Sequence, residues 1–178
     1  RGLRGVRRVA RGGRVSESRV TSLAELAAAL PVDLGRSAAV RITQEMVDVH
    51  AATTGDAQWI HNDPERARRE SPFGGPVAQG FLLLSLLTQL SSDLTFPSYG
   101  PVTMLVNYGF DRVRFVRTVP VGSSVRLHGT LAEVRSRGDG SAVLAVDAEL
   151  HVVADDDPGT TGKGPAVVAR WLFLAVPA

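Results

Sequence analysis

Residues 77–91 read VAQGFLLLSLLTQLS, an unbroken run without a charged side chain. A helix that is apolar on nearly every side has no face to give to water, so other elements must wrap around it. Its hydrophobic centre, Phe81 to Leu87, is too short to cross a bilayer, and the expectation is no membrane partner. The fold therefore depends on what can form the wrapper.

The chain beyond this helix has the period of strands. Val102, Met104, Val106, Tyr108 and Phe110 alternate with Thr103, Leu105, Asn107 and Gly109. After Phe110 the apolar set slips to Val113 and Phe115, which predicts a bulge or bend. A turn at Pro120–Gly122 leads into Val125, Leu127 and Leu131. Gly138-Asp139-Gly140 then makes a hairpin into Ala142, Leu144, Val146, Ala148, Leu150 and Val152. Asp155 to Pro165 is a polar, glycine-rich loop, and Ala166 to Val176 a last strand. Helices first and four long strands afterwards are the pattern of an α+β fold, an antiparallel sheet curling around one helix.

Upstream, Ser22-Leu-Ala-Glu25 has the form of a capping box opening a short helix that ends before Pro31. Ala38 to Ile42 reads as a strand, and Thr43 N-caps a helix to Thr54 that Gly55 can terminate. Asp63-Pro64 has the form of an N-cap followed by proline in the first turn. Ser71-Pro-Phe-Gly-Gly-Pro76 is a loop.

The 178 residues are 44% hydrophobic and 21% charged, the proportions of one globular domain, placed at residues 18–178. Residues 1–17 form a basic extension expected to be disordered. Its first 14 residues hold six arginines and no acid, and without them 14 basic residues face 18 acidic ones. The net charge of +2 thus belongs to the tail, and the folded part gives no reason to expect nucleic acid as a partner. With no cysteine there is no disulfide, no thiolate nucleophile and no cysteine-ligated metal, which fits a cytoplasmic setting.

Four histidines remain as the principal candidates for proton transfer. His128 and His151 fall on outward strand faces, where solvation is expected, and His50 lies on an apolar helix face. Only His61 stands in a non-periodic turn, five residues after Asp56. Asp56 follows a glycine cap and suits an Asx-turn as well as an acid–base role. Trp59 and Ile60 place apolar bulk between the two. One histidine and one aspartate are too few ligands for a metal site. Downstream, the first N–H groups of the apolar helix have no intrahelical partner, and Gly80 lets a ligand approach the backbone. A carboxylate, an imidazole and free helix-start donors are the parts that enolate chemistry requires.

The stretch Gly55-Asp-Ala-Gln-Trp-Ile-His-Asn-Asp-Pro-Glu-Arg-Ala67 resembles the signature of the MaoC-like (R)-specific enoyl-CoA hydratases. It is more similar to their nodulation protein N-like branch, in which Gln-Trp-Ile replaces the commoner Asn-Pro-Leu. The likeness continues through Ser71-Pro-Phe-Gly-Gly-Pro-Val-Ala-Gln-Gly-Phe81, Asn107-Tyr-Gly-Phe-Asp-Arg-Val-Arg-Phe115 and Val119-Pro-Val-Gly122. It implies a hotdog fold, usually dimeric, and interconversion of trans-2-enoyl and (R)-3-hydroxyacyl thioesters without metal or redox cofactor. Coenzyme A or acyl carrier protein would enter only as part of the substrate. Carried over, Asp56 and His61 are the catalytic pair and Gly80 N–H polarises the thioester carbonyl. Gln79, often histidine in these hydratases, and Trp59 are expected to contact substrate. A hotdog thioesterase, or a non-catalytic acyl-thioester-binding protein, are the alternatives; neither needs this Asp–His spacing.

Overall fold

The computed structural model describes residues 22–98, 100, 102–153 and 164–177. The basic extension and most of the Asp155–Pro165 loop lie outside these residues. Helix α5, Gly80–Leu90, buries Leu82, Leu83, Leu86, Leu87 and Leu90, and exposes Phe81, Ser85, Thr88 and Gln89. It starts three residues later than the apolar run suggests, because Val77 bridges Pro120 in extended conformation instead. Burying each leucine stabilises the fold by roughly 1.5–3 kcal/mol, before the entropy of ordering it.

The sheet that packs on α5 is antiparallel, in the order β1-β4-β5-β6-β3. Its strands are β1 (Val32–Arg36), β3 (Val102–Phe115), β4 (Ser124–Ser136), β5 (Ala142–Val153) and β6 (Val167–Pro177). The two-residue β2, Val40–Arg41, pairs with the start of β4, where Val40 stands opposite Val125. Leu127 and Leu131 of β4, Leu144, Val146 and Leu150 of β5, and Trp171 and Phe173 of β6 join the α5 leucines in one core. The phase slip after Phe110 is a break in the β3–β6 register between Phe110 and Arg112. Gly129 of β4 is packed so tightly that a Cβ there would lie 2.6 Å from Leu94 Cδ1.

Two features of the sheet do not show in the sequence. Strand β1 was not legible, since only Leu34 of Val-Asp-Leu-Gly-Arg is buried and Gly35 breaks its register with β4. And the alternation of β3 does not mark a core face: Val102, Met104, Leu105, Val106 and Tyr108 are all exposed on an edge strand.

The helical half is fixed by its caps. Ser22 and Glu25 form the reciprocal capping box of α1, Leu23–Ala28. Thr43 Oγ1 accepts from Met46 N–H at the start of α2, Gln44–Thr54, and Gly55 ends it in the left-handed conformation at φ 78°. The segment after Gly55 forms a single turn, α3 (Trp59–Asn62), and Asp63 caps α4 (Pro64–Glu70). No described helix is long and apolar enough to cross a membrane.

Candidate active site

The left-handed Gly55 turns the chain sharply out of α2 and sets Asp56 and His61 in the connection to α4. Three polar clamps hold that connection. Gln44 Nε2, on α2, donates to the His61 carbonyl at 2.8 Å and to Asp48 Oδ1 at 2.9 Å. Asn62 Nδ2 donates to the same Asp48 oxygen at 2.7 Å. Val77 N–H donates to the Ile60 carbonyl at 3.1 Å, tying the turn to the extended segment before α5.

His61 is buried, and its Nδ1 lies 2.6 Å from the Val77 carbonyl. A carbonyl only accepts, so Nδ1 carries the proton. In the neutral ring Nε2 then keeps the lone pair that can take a proton, the usual way a second bond fixes a histidine's tautomer. His61 lines an apolar cleft of about 310 Å³ with Ile60, Phe73, Val77, Ala78, Gly80, Leu83, Phe115, Val116, Arg117, Thr118 and Val119. Gly80 is the first residue of α5, and among the described residues no side chain caps that helix, which leaves its N–H as a donor at the cleft. The Phe115 ring lies against Gly80: a Cβ there would be 3.0 Å from three ring carbons. A second cleft, of about 540 Å³ and lined by Gln44, Arg68, Gly74 and Gly75 among others, shares Phe73 with the first.

The remaining expected residues stand elsewhere. Asp56 is half-buried and outside the lining of the His61 cleft. Its backbone carbonyl accepts from Gln79 Nε2 at 3.4 Å, which links it to the residue before Gly80. Gln79 is 1% exposed and lines neither of these two clefts. Trp59 also lies outside both, its indole stacked with the Arg66 guanidinium at 4.4 Å. Gln79 and Trp59 thus border neither of these two clefts, and each is engaged by a different neighbour, Gln79 by the Val47 and Asp56 carbonyls and Trp59 by Arg66.

His128 and His151, expected on solvated faces, are instead largely covered and paired, with side chains 23% and 13% exposed. His128 Nε2 lies 3.0 Å from Asp33 and His151 Nε2 3.1 Å from Glu149. Among the described residues no group of three histidines and acids is placed to hold a metal ion. Sequence reasoning did not find Phe73, Phe115 and Val116 as cleft walls; Arg117, which as a cation could be expected to meet the phosphates of coenzyme A, lines the same cleft and donates to the carbonyls of Gly164 and Pro165. The signals near Phe115 are the phase slip in β3 and its place at the end of the Asn107–Phe115 stretch.

An apolar helix on an antiparallel sheet, with an imidazole and an uncapped helix start at one cleft, has the arrangement of a hotdog fold. The MaoC-like domain model matches residues 27–153, and the chain belongs to the MaoC-like dehydratase family. It is 42% identical over 142 residues to 3-hydroxyacyl-thioester dehydratase Z of Mycobacterium tuberculosis, covering 80% of this chain and 92% of the relative. With nodulation protein N of Rhizobium leguminosarum bv. viciae it shares 39% over 153 residues, covering 86% and 90%. Among solved structures, the fold is similar to the R-hydratase PhaJ1 of Pseudomonas aeruginosa (TM-score 0.62, 18% identity, 89% and 88% covered). It is also similar to the (R)-hydratase of A. caviae (TM-score 0.60, 22% identity, 84% and 100% covered).

Proposed function

We propose that this protein is an (R)-specific hydratase of trans-2-enoyl thioesters, or in reverse a dehydratase of (R)-3-hydroxyacyl thioesters. The observation that carries this reading is the joint placement of His61 and the free Gly80 N–H on one apolar cleft, with Nδ1 of His61 held by the Val77 carbonyl. The acyl group lies against Val77, Ala78, Leu83 and Val119. The Gly80 N–H receives the charge that develops on the thioester oxygen. Asp56 stands outside the cleft lining on the turn that carries His61, and in this reading its carboxylate joins the imidazole in orienting one water molecule at the cleft edge; the pair delivers its oxygen to C3 and its proton to C2 and leaves the thioester bond intact. Nothing in this balance needs a metal or redox cofactor; coenzyme A or acyl carrier protein is the carrier of the substrate. The absence of cysteine suits a cytoplasmic setting.

The working form is a homodimer in this proposal. The edge strand β3 presents unpaired main-chain groups together with Met104 (52% exposed) and Tyr108 (53% exposed), a surface that soluble edge strands rarely leave open. A second copy covers it, next to Phe115 and Val116 of the cleft.

The test is hydration of trans-2-butenoyl-CoA by wild-type protein and by Asp56→Asn and His61→Ala. Loss of turnover by about 10²–10⁴-fold in each variant supports the acid–base pair. An Asp56→Asn variant with full activity would remove Asp56 from the mechanism. Release of free thiol would instead identify a thioesterase, and retention of the thioester without turnover a binding protein.

A further inference from the structure

Gln79 occupies the N-cap position of α5, yet its side chain caps nothing. The amide turns away from the helix. Nε2 donates to the Val47 carbonyl of α2 at 3.1 Å and to the Asp56 carbonyl at 3.4 Å. Both partners are acceptors only, so the NH2 group must face them and the amide cannot be flipped. The residue is 1% exposed, and its Oε1 is buried without a donor among the described residues. An uncharged donor fork in so closed a place ties three things together: helix α2, the backbone of Asp56, and the helix start that bears Gly80. A substrate cannot reach it without unpacking the core.

We propose that Gln79 is the positioning residue of this site, holding Asp56 in register with the Gly80 N–H, and that it does not touch substrate. The proposal rests on the hydratase reading above. In hydration the two ends of the reacting enoyl group are handled by different parts of the chain. The Gly80 donor acts at the thioester oxygen, while the Asp56–His61 turn acts at C2 and C3. Their separation must stay fixed, and displacement of one by about 1 Å can cost 10²-fold in rate. His61 is already tied to the α5 approach through Val77, and Gln79 supplies the corresponding tie for Asp56.

The experiment uses Gln79→Met, which keeps the volume and removes both donors, assayed with trans-2-butenoyl-CoA beside wild type and with thermal melting of each protein. The expected result is a folded variant with kcat lowered about 10–100-fold and KM within about two-fold of wild type. A rise in KM with kcat unchanged would overturn the proposal and return Gln79 to substrate contact. Unchanged kcat and KM would overturn it equally, whatever the melting temperature does. Where Gln79→Met does not fold, the same split is read on Gln79→His, which keeps one ring N–H and should lose less kcat. No turnover by the wild-type protein itself would refute the hydratase reading, an outcome distinct from a wild-type enzyme indifferent to Gln79.

Discussion

Gly80→Ala is the perturbation that separates the cleft's chemistry from its stability. The new methyl would stand 3.0 Å from Cγ, Cδ1 and Cδ2 of Phe115, against an ordinary carbon–carbon contact of ~3.5–4.0 Å, so the ring must yield by about 0.5–1 Å. Phe115 is 46% exposed at the end of an edge strand and can swing. Overpacking of this kind costs about 1–3 kcal/mol, and replacing glycine within a helix returns up to ~1 kcal/mol. The net expectation is about 0–3 kcal/mol of destabilisation, or roughly 0–12 °C in melting temperature for a domain of this size. Activity should suffer more, because the methyl and the displaced ring both enter the space beside the N–H proposed to receive the thioester oxygen. A fall of about 10–100-fold in kcat/KM is expected for trans-2-butenoyl-CoA. Phe115→Leu in the same protein frees the space, and the pair should show a coupling of about 0.5–3 kcal/mol in a double-mutant cycle on kcat/KM. Strictly additive effects, or a fully active Gly80→Ala, would refute the placement of Phe115 over the donor.

Other outcomes follow from the same geometry. Leu87→Ala, at a position 1% exposed in the core, should cost about 2–5 kcal/mol by urea unfolding with an unchanged m-value. Leu105→Glu on the open edge strand should leave the monomer folded and shift sedimentation from dimer to monomer; an unchanged dimer would place the interface elsewhere. Asp33 is held below the ordinary aspartate range by the Gly35 N–H first and by His128 second. A carboxylate whose pKa is lower folded than unfolded stabilises above its unfolded value and loses that contribution as pH falls through the folded one. Asp33→Asn should therefore narrow the stability gap to wild type as the pH drops below ~4, measured by melting across pH.

The parts of the fold legible in the sequence are those whose cause is local. Ser22-x-x-Glu25, Thr43, Gly55 and Asp63-Pro64 act within one helical turn, and each caps the helix it announces. The apolar run of α5 and the alternation of β5 depend on burial along a single element. Strand β1 was hidden because an edge strand with one buried residue carries no period. For β3 the period was clear but its meaning was not, since alternation does not say whether a partner chain or the core meets the apolar side chains. In the site, the turn position of His61 singled it out, but its partner, the Val77 carbonyl, is 16 residues away and set by tertiary packing. The same holds for Gln79 and Trp59. Their chemistry suited a substrate, and only the fold shows that one is committed to Val47 and Asp56 and the other to Arg66.

The central claim is that one turn and one helix start add water across an enoyl thioester. Its most direct test is turnover of trans-2-butenoyl-CoA in D2O, followed by NMR and chiral analysis of the product. The account predicts (R)-3-hydroxybutyryl-CoA with a single deuteron at C2, added to the same face as the hydroxyl. An (S) product, addition to opposite faces, or free thiol in place of the hydroxyacyl thioester would contradict it.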